Sequence, residues 1–137
     1  MAGRVLVVED DMHMRFLLKA VLETNGYSPV LAKDGRSGLR EAREHPPDLI
    51  VLDLMMPGQG GLAMYRELKA DIRLDKIPVI VLSAVEEESF RHSMSMLRAG
   101  GGEDLPPPER YLEKPPKPER LIEETRTLLA ERGRQEE

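Results

Sequence analysis

Apolar residues alternate along this chain between two patterns, one typical of strands and one typical of helices. Five short apolar runs, each closed by polar or turn residues, indicate strands, and the continuous runs indicate strands that are buried on both faces. Pro29 weakens the second run, which favours a position at the edge of the sheet. The predicted strands are Arg4–Val8, Tyr27–Leu31, Leu49–Asp53, Pro78–Ala84 and Arg110–Glu113.

The segments that follow these runs have the apolar spacing of amphipathic helices. Asn25-Gly26 stops the first helix and Pro46-Pro47 ends the second, because Gly and Pro terminate helices. The predicted helices are marked by Met14–Leu22, by Gly35–Glu44, by Leu62–Leu68, by Glu86 to a break at Gly100–Gly102, and by Pro118 onward.

Strands that alternate with helices predict an α/β fold, a doubly wound five-stranded parallel sheet with helices on both faces. A length of 137 residues fits one domain with a core of its own. We expect this domain to occupy residues 1–130, and residues 131–137 to form a polar C-terminal tail.

The composition excludes several classes of function. The chain has no cysteine, so it has neither disulfides nor thiolate metal sites. Its apolar runs are far shorter than the ~20 residues of a transmembrane helix, and Glu9 follows the first run too early for a signal peptide. A net charge of −5 argues against binding the phosphate backbone of nucleic acid. We expect a cytoplasmic domain with no membrane insertion and no direct nucleic-acid contact.

Several predicted strands end in groups that can carry chemistry. Glu9 and Asp10 follow the first strand, and Asp53 ends the third. Ser83 lies at the end of the fourth strand, and Lys114 follows the fifth. Open parallel sheets bind ligands at the carboxyl ends of their strands, so these groups predict a site at that edge. Taken alone, Asp53 has a second interpretation, because aspartate commonly caps a helix that follows it.

The residue types in this group point to phosphoryl chemistry. Converging carboxylates repel one another unless a cation lies among them, and an all-oxygen ligand set selects a hard ion such as Mg²⁺. With that ion, the hydroxyl of Ser83 and the ammonium of Lys114 would surround a phosphoryl group on three sides. Asp53 is then the candidate acceptor, because carboxylates form acyl phosphates.

Four motifs, each at a strand end, give the chain a resemblance to response-regulator receiver domains of two-component signalling. The resemblance covers nearly the whole chain and is closest in architecture to the single-domain chemotaxis type. It implies a flavodoxin-like sheet with strand order 2-1-3-4-5. The motifs are Val-Leu-Val-Val-Glu-Asp-Asp, Leu-Asp-Leu-Met-Met-Pro-Gly, Leu-Ser-Ala and Tyr-Leu-Glu-Lys-Pro.

The resemblance also implies a metal site. Asp53 would be the phosphoacceptor. Asp10 and Asp53, with the main-chain carbonyl of Met55, would bind Mg²⁺ directly. Glu9 would act on the ion directly or through water.

The remaining implied roles concern the phosphoryl group and its detection. Ser83 would donate a hydrogen bond to the phosphoryl oxygens, and Lys114 would pair with them as a point charge. The Lys114-Pro115 peptide would be cis, as is usual in receiver domains. Tyr111 matches the switch aromatic of the family, whose position reports the movement of Ser83.

These roles imply a stand-alone receiver that takes its phosphoryl group from a sensor histidine kinase or a phosphotransfer protein. Its protein-binding surface around the fourth helix, fifth strand and fifth helix would switch on phosphorylation. Such a domain is not a conventional enzyme, although it catalyses its own phosphorylation and dephosphorylation. We expect a monomer or a weak dimer.

Two other functions remain open from the sequence. One is a receiver-like interaction module that is never phosphorylated, against which the complete set of acids and Lys114 argues. The other is an α/β phosphatase with a strand-end aspartate and Mg²⁺, but Leu54–Pro57 offers no second carboxylate as general acid. A nucleotide-binding enzyme is disfavoured, because no Gly-rich loop follows the first strand.

The sequence departs from the receiver pattern at three places. Gln59 replaces an apolar residue, and Pro116 replaces an aromatic one. The stretch from Ser83 to Lys114 is several residues longer than usual, with the excess in Gly100–Pro108. Residues Glu103–Pro108 are polar and rich in proline, which predicts a surface loop. We therefore expect a partner surface that differs from that of the chemotaxis-type members.

Overall fold

The structure, a computed structural model, describes residues 3–54, 60–92 and 105–136. Five strands and five helices alternate along these ranges. The strands are β1 (Arg4–Val8), β2 (Ser28–Ala32), β3 (Leu49–Asp53), β4 (Val79–Ser83) and β5 (Arg110–Glu113). The helices are α1 (Met12–Thr24), α2 (Gly35–Glu44), α3 (Gly61–Ala70), α4, which is described over residues 87–92, and α5 (Pro118–Glu136).

The five strands form one parallel sheet in the order β2-β1-β3-β4-β5, which confirms the predicted fold and strand order. Every residue of β3 and β4 is buried, as the continuous apolar runs predicted. β2 lies at the sheet edge, where Pro29 is tolerated. This strand begins one residue later than predicted, at Ser28.

Each face of the sheet has its own hydrophobic core. On one face the strands pack against α2 and α3, with Met64, Tyr65 and Leu68 among the buried residues. On the other face they pack against α1 and α5, with Leu18 and Leu121 among the buried residues. Both faces of the sheet are therefore covered, and a polar ligand can reach the sheet only at the ends of its strands. Over the described residues, no helix is long and apolar enough to cross a membrane.

The N-caps of the helices exclude the interpretation that Asp53 caps the helix after β3. Asp11 caps α1 by accepting from the amides of His13 and Met14, at 2.9 and 3.4 Å. The N-cap of α3 is Gly60, seven positions after Asp53. Asp53 does not cap α3, so its carboxylate is available for other contacts.

The C-terminal helix and the segment before β5 differ in detail from the sequence-based expectations. Residues 131–136, predicted as part of a polar tail, continue α5. The guanidinium of Arg132 in this turn donates to the carbonyls of Pro47 and Asp48, at 3.4 and 2.8 Å. The end of α5 is thus attached to the start of β3, and the predicted domain boundary at Ala130 falls inside a helix.

The predicted surface loop before β5 exposes Pro106 and Pro107, but other residues of it pack against the domain. Leu105 is only 6% exposed and belongs to the core beside α3. The carbonyl of Pro106 accepts from the hydroxyl of Tyr65 at 2.6 Å. Glu109 accepts from the amide of Val79 at 3.1 Å and pairs with Lys69 at 3.5 Å. Segment 105–109 is therefore held against α3 and β4, while the predicted helix break at Gly100–Gly102 lies outside the described residues.

Candidate functional site

The predicted site residues come together at the carboxyl edge of the sheet. Glu9 follows β1, Asp53 is the last residue of β3 and Ser83 is the last residue of β4. These three strands are neighbours in the sheet, and Asp53 is in register with Leu82, the residue before Ser83. Lys114 follows the edge strand β5, and its amide donates to the carbonyl of Ser83 at 2.8 Å. Sheet topology alone therefore brings these four groups to one place.

Three carboxylates form the centre of the site. Glu9, Asp10 and Asp53 each offer one oxygen, and these oxygens lie within 4.8 Å of one another. Glu9 is 1% exposed and Asp53 is 2% exposed, whereas Asp10 is exposed to solvent. The cluster is thus closed below by the sheet and open on the side of Asp10.

Lys114 supplies the positive charge of the site. Its Nζ lies 2.6 Å from Glu9 Oε1 and 2.7 Å from Asp53 Oδ2. Burial alone would lower the pKa of Lys114, but its contacts with Asp53 and Glu9 outweigh burial and raise that pKa. The ammonium is therefore held in its charged form between two strand ends. The Lys114-Pro115 peptide is cis, as predicted.

The charge of the site is not balanced by Lys114 alone. The pKa of Glu9 is raised to about 7, and burial is the largest cause. The hydrogen bonds from Lys114 and from the Asp11 amide act in the opposite direction, whereas Asp10 and Asp53 act in the same direction as burial. Three carboxylates against one ammonium leave an excess of two negative charges when all are ionised. An all-oxygen site with this excess suits a hard divalent cation.

Ser83 and Tyr111 lie on the side of the site towards α4. Ser83 Oγ accepts from the amide of Val85 at 3.1 Å, and the hydroxyl of Tyr111 donates to the carbonyl of Val85. Burial raises the pKa of Tyr111, and a hydrogen bond with Ser83 partly opposes this. The ring of Tyr111 stacks on Phe90 of α4, with centroids 4.7 Å apart and planes at 28°. Val85 thus connects the Ser83 hydroxyl to an aromatic pair on the surface of the domain.

Two further residues shape the site and were not predicted from the sequence. Arg15 of α1 donates to the carbonyls of Glu9 and Asp10, at 2.9 and 3.3 Å, and so holds the loop that carries both acids. Gly61 begins α3 directly against β3, where an added Cβ would lie 2.1 Å from the carbonyl oxygen of Asp53. Neither role has a local sequence signal, because each depends on a contact between separate elements. The predicted metal ligand at Met55 lies outside the described residues.

Comparisons with known proteins agree with this arrangement. Residues 5–126 match the family model described as the response regulator receiver domain. The phosphate regulon transcriptional regulatory protein PhoB of Escherichia coli is 36% identical over 129 residues, which cover 94% of this chain and 52% of the relative. The response regulator MprA of Mycolicibacterium vanbaalenii is 40% identical, over 94% of this chain and 51% of the relative. The chain spans about half the length of the curated relatives it matches.

A solved structure shows the same fold. The crystal structure of the signal receiver domain of a signal transduction histidine kinase from Syntrophus aciditrophicus is 31% identical to this chain. It superposes with a TM-score of 0.79 over 94% of this chain and 91% of its own. The likeness therefore extends across the whole sheet and its helices rather than to one motif.

Proposed function

The chain belongs to the response regulator receiver domain family, and from this premise we propose that it is a switch that accepts a phosphoryl group on Asp53. The proposal rests on one observation above the others. The buried carboxylate of Asp53 lies 2.7 Å from Lys114 Nζ inside a cluster of acids at the ligand-binding edge of the sheet. The phosphate acceptor, the metal and the phosphoryl oxygens each have a matching group there.

Receiver domains generally bind Mg²⁺ at an acidic pocket, and Glu9, Asp10 and Asp53 are the residues that would hold it here. Their oxygens lie close enough together to share one ion, and their excess of negative charge favours a divalent one. When bound, the ion neutralises charge on the transferring phosphoryl group. The main-chain carbonyl of Met55 completes the proposed ligand set.

The donor in this proposal is a phosphohistidine of a sensor histidine kinase or a phosphotransfer protein. An oxygen of the ionised Asp53 carboxylate attacks phosphorus, forming an O–P bond as the N–P bond breaks. The imidazole leaves with the electron pair of the broken bond and takes up a proton from solvent. Before transfer, Lys114 Nζ contacts Asp53 Oδ2. After transfer, Lys114 pairs with the phosphoryl oxygens on Asp53.

Signalling follows from the contacts of Ser83. A phosphoryl group on Asp53 offers the Ser83 hydroxyl a strong new hydrogen-bond acceptor. A shift of this hydroxyl displaces Val85, because the Val85 amide donates a hydrogen bond to it. The hydroxyl of Tyr111 is hydrogen-bonded to the carbonyl of Val85, and the ring of Tyr111 stacks on Phe90 of α4. The proposed output surface is therefore that of α4, β5 and α5. In this proposal the protein is a stand-alone receiver in the cytoplasm, and this surface binds a downstream protein.

Phosphorylation by a small donor tests the proposal. The protein is incubated with Mg²⁺ and acetyl phosphate, and its intact mass is recorded beside those of Asp53→Asn and Asp34→Asn. Asp34 caps α2 through the amide of Ser37 and lies outside the acidic cluster, so this variant is a matched control. We expect one added phosphoryl group on the wild type and on Asp34→Asn, and none on Asp53→Asn or in EDTA. Absence of any gain on the wild type would favour an interaction module that is never phosphorylated.

A further inference from the structure

A groove of about 540 Å³ runs along the outer surface between α2 and α3. It is formed by elements other than α4, β5 and α5, so it is separate from the proposed output surface. One end lies at Gly60, at the start of α3, and the other lies at Glu44 and Glu67. α2 has ten residues, about 15 Å of helix, which sets the length of the groove.

The fully buried positions of α2 are all occupied by small residues. Gly35, Gly38 and Ala42 are its buried residues. A Cβ at Gly38 would lie 2.7 Å from Val8 Cγ2 and 3.0 Å from Met64 Sδ. The backbone of α2 therefore packs directly on β1 and α3, and its long side chains remain outside.

The groove has an apolar floor and a cationic wall. The half-buried Leu39 and the exposed Ala63 form the floor, above the buried Met64. Arg36, Arg40 and Arg43 follow one another along the exposed side of α2 at helical spacing.

The arginines of this wall differ in their partners. Arg43 is neutralised, because its guanidinium lies 3.3 Å from Glu67 and 3.5 Å from Asp71. Within the described residues, no carboxylate forms an ion pair with Arg36 or Arg40. The half of the groove near Gly60 therefore presents two arginines for which the described residues provide no ion pair, in a protein of net charge −5. Asp34, the N-cap of α2, interacts with Arg36 only electrostatically, without an ion pair.

From this combination we infer that the α2–α3 groove binds an acidic amphipathic segment of a partner protein. Apolar side chains of the segment pack on Leu39 and Ala63, and its carboxylates pair with Arg36 and Arg40. A second copy of this chain is disfavoured as occupant, because two molecules of net charge −5 repel each other. Nucleic acid is disfavoured by the same charge and by the apolar floor, which a phosphate backbone does not complement.

A peptide titration tests this inference. The probe is a fluorescein-labelled helical peptide of about 12 residues, with leucine at every third or fourth position and glutamate elsewhere. Anisotropy is measured for the wild type, for the double variant Arg36→Gln/Arg40→Gln, and for Arg120→Gln/Arg126→Gln, which removes two exposed arginines from α5. A peptide with lysine in place of glutamate and a short DNA duplex are the other two probes.

We expect saturable binding of the acidic peptide, weakened about tenfold or more by the α2 double variant and within about twofold of wild type for the α5 double variant. Equal losses for the two double variants, equal binding of the lysine peptide or the DNA duplex, or no saturable binding of the acidic peptide would each overturn the inference. The Asp53→Asn variant should bind as the wild type does, because the groove does not include Asp53. Failure of phosphorylation on Asp53 and failure of this groove are therefore distinguishable.

Discussion

Lys114 is the residue on which the charge arrangement of the site depends. It is the ammonium that lies between Glu9 and Asp53, and its contacts with both are shorter than 3 Å. Without it, two buried carboxylates at neighbouring strand ends face each other with neither cation nor metal. Lys114 is thus the side chain that offsets the repulsion between Glu9 and Asp53.

Replacement of this lysine should destabilise the metal-free protein. We expect Lys114→Met to lower the free energy of unfolding by about 1–3 kcal/mol, less than the full cost of a broken buried ion pair, because Glu9 can take up a proton. Urea unfolding in EDTA measures the loss. The matched control is Lys117→Met, an exposed lysine three positions later. Equal losses for the two variants would mean that Lys114 does not stabilise the acid cluster.

Glu9 should give the metal-free protein a specific pH dependence. Its folded pKa of about 7 lies above the ordinary glutamate value of 4.5, so between these values the folded state binds more protons than the unfolded state. The Glu9 contribution to the free energy of unfolding is therefore complete below about pH 4.5 and is lost as the pH rises through about 7.

The variant Glu9→Gln removes this titration. From about pH 5 to about pH 7.5 in EDTA, the wild type should lose stability relative to Glu9→Gln. Added Mg²⁺ should restore the wild type at the higher pH, because the ion binds the deprotonated folded form. Thermal unfolding across this range is the measurement, and parallel pH profiles for the two proteins would contradict the assignment.

At this scale the sequence was a good guide to where the acids and Lys114 lie, because each of them ends a strand or follows one within two residues. It was no guide to Arg15, which reaches back from α1 to the Glu9 and Asp10 carbonyls. An arginine on a helix has no local feature that distinguishes such a contact from ordinary solvation. Topology had to bring the two elements together first.

Among the elements, the start of α3 is most directly tied to the site. Gly61 leaves no room for a side chain, because its Cβ would meet the backbone of Asp53 and Leu54 at 2.1 and 2.7 Å. Any larger residue must push α3 away from β3. The helix and the proposed phosphoacceptor are therefore coupled by a backbone contact.

Substitution of this glycine should cost stability and phosphorylation together. We expect Gly61→Ala to destabilise the protein by about 1–3 kcal/mol, the usual cost of overpacking, and to slow phosphorylation by acetyl phosphate. Gly133→Ala in α5 is the control, because no atom lies within 4 Å of its added Cβ. Helix propensity should make the control neutral or up to about 1 kcal/mol more stable. Equal stability of the two variants would exclude the proposed crowding at Gly61.

Segment 105–109 illustrates what the sequence pattern concealed. Its prolines predicted an exposed loop, and they gave no sign that Leu105 enters the core or that Glu109 pairs with Lys69. The side chain of Lys69 is only 8% exposed, so the carboxylate of Glu109 is its necessary counter-charge. Pairings between residues forty positions apart, such as this one, cannot be derived from local spacing.

Loss of that carboxylate should release the segment. We expect Glu109→Ala to lower the free energy of unfolding by about 2–4 kcal/mol, because Lys69 and the Val79 amide both lose their partner. Glu113→Ala, at the exposed end of β5, should change stability by no more than about 0.5 kcal/mol. Chemical denaturation compares the two variants, and a loss confined to Glu113→Ala would contradict the role of Glu109.

For the whole molecule, the order of the strands explains why so much could be predicted. The order 2-1-3-4-5 places β3 at the centre, between β1 and β4, so the ends of three strands meet around Asp53. Periodicity predicted the strands and helices, and the resemblance implied their order. The α2–α3 groove could not be predicted in this way, because it depends on how closely the glycine side of α2 approaches Met64.

The same topology separates three regions, each with its own proposed task. The acidic site lies at the carboxyl edge of the sheet, the proposed output surface lies around α4, β5 and α5, and the cationic groove lies between α2 and α3. The acid cluster and the lining of the groove share no residue. Substitutions in the groove therefore leave the acids of the site in place.

The most direct test locates the phosphoryl group on the chain. The protein is treated with acetyl phosphate and Mg²⁺ and then reduced with borohydride, which converts an aspartyl phosphate to homoserine, and its peptides are sequenced by mass spectrometry. We expect homoserine at position 53 in the presence of Mg²⁺ and unmodified Asp53 in EDTA. Homoserine at another aspartate, or an unmodified Asp53 with Mg²⁺ present, would contradict the proposal that Asp53 is the phosphoacceptor.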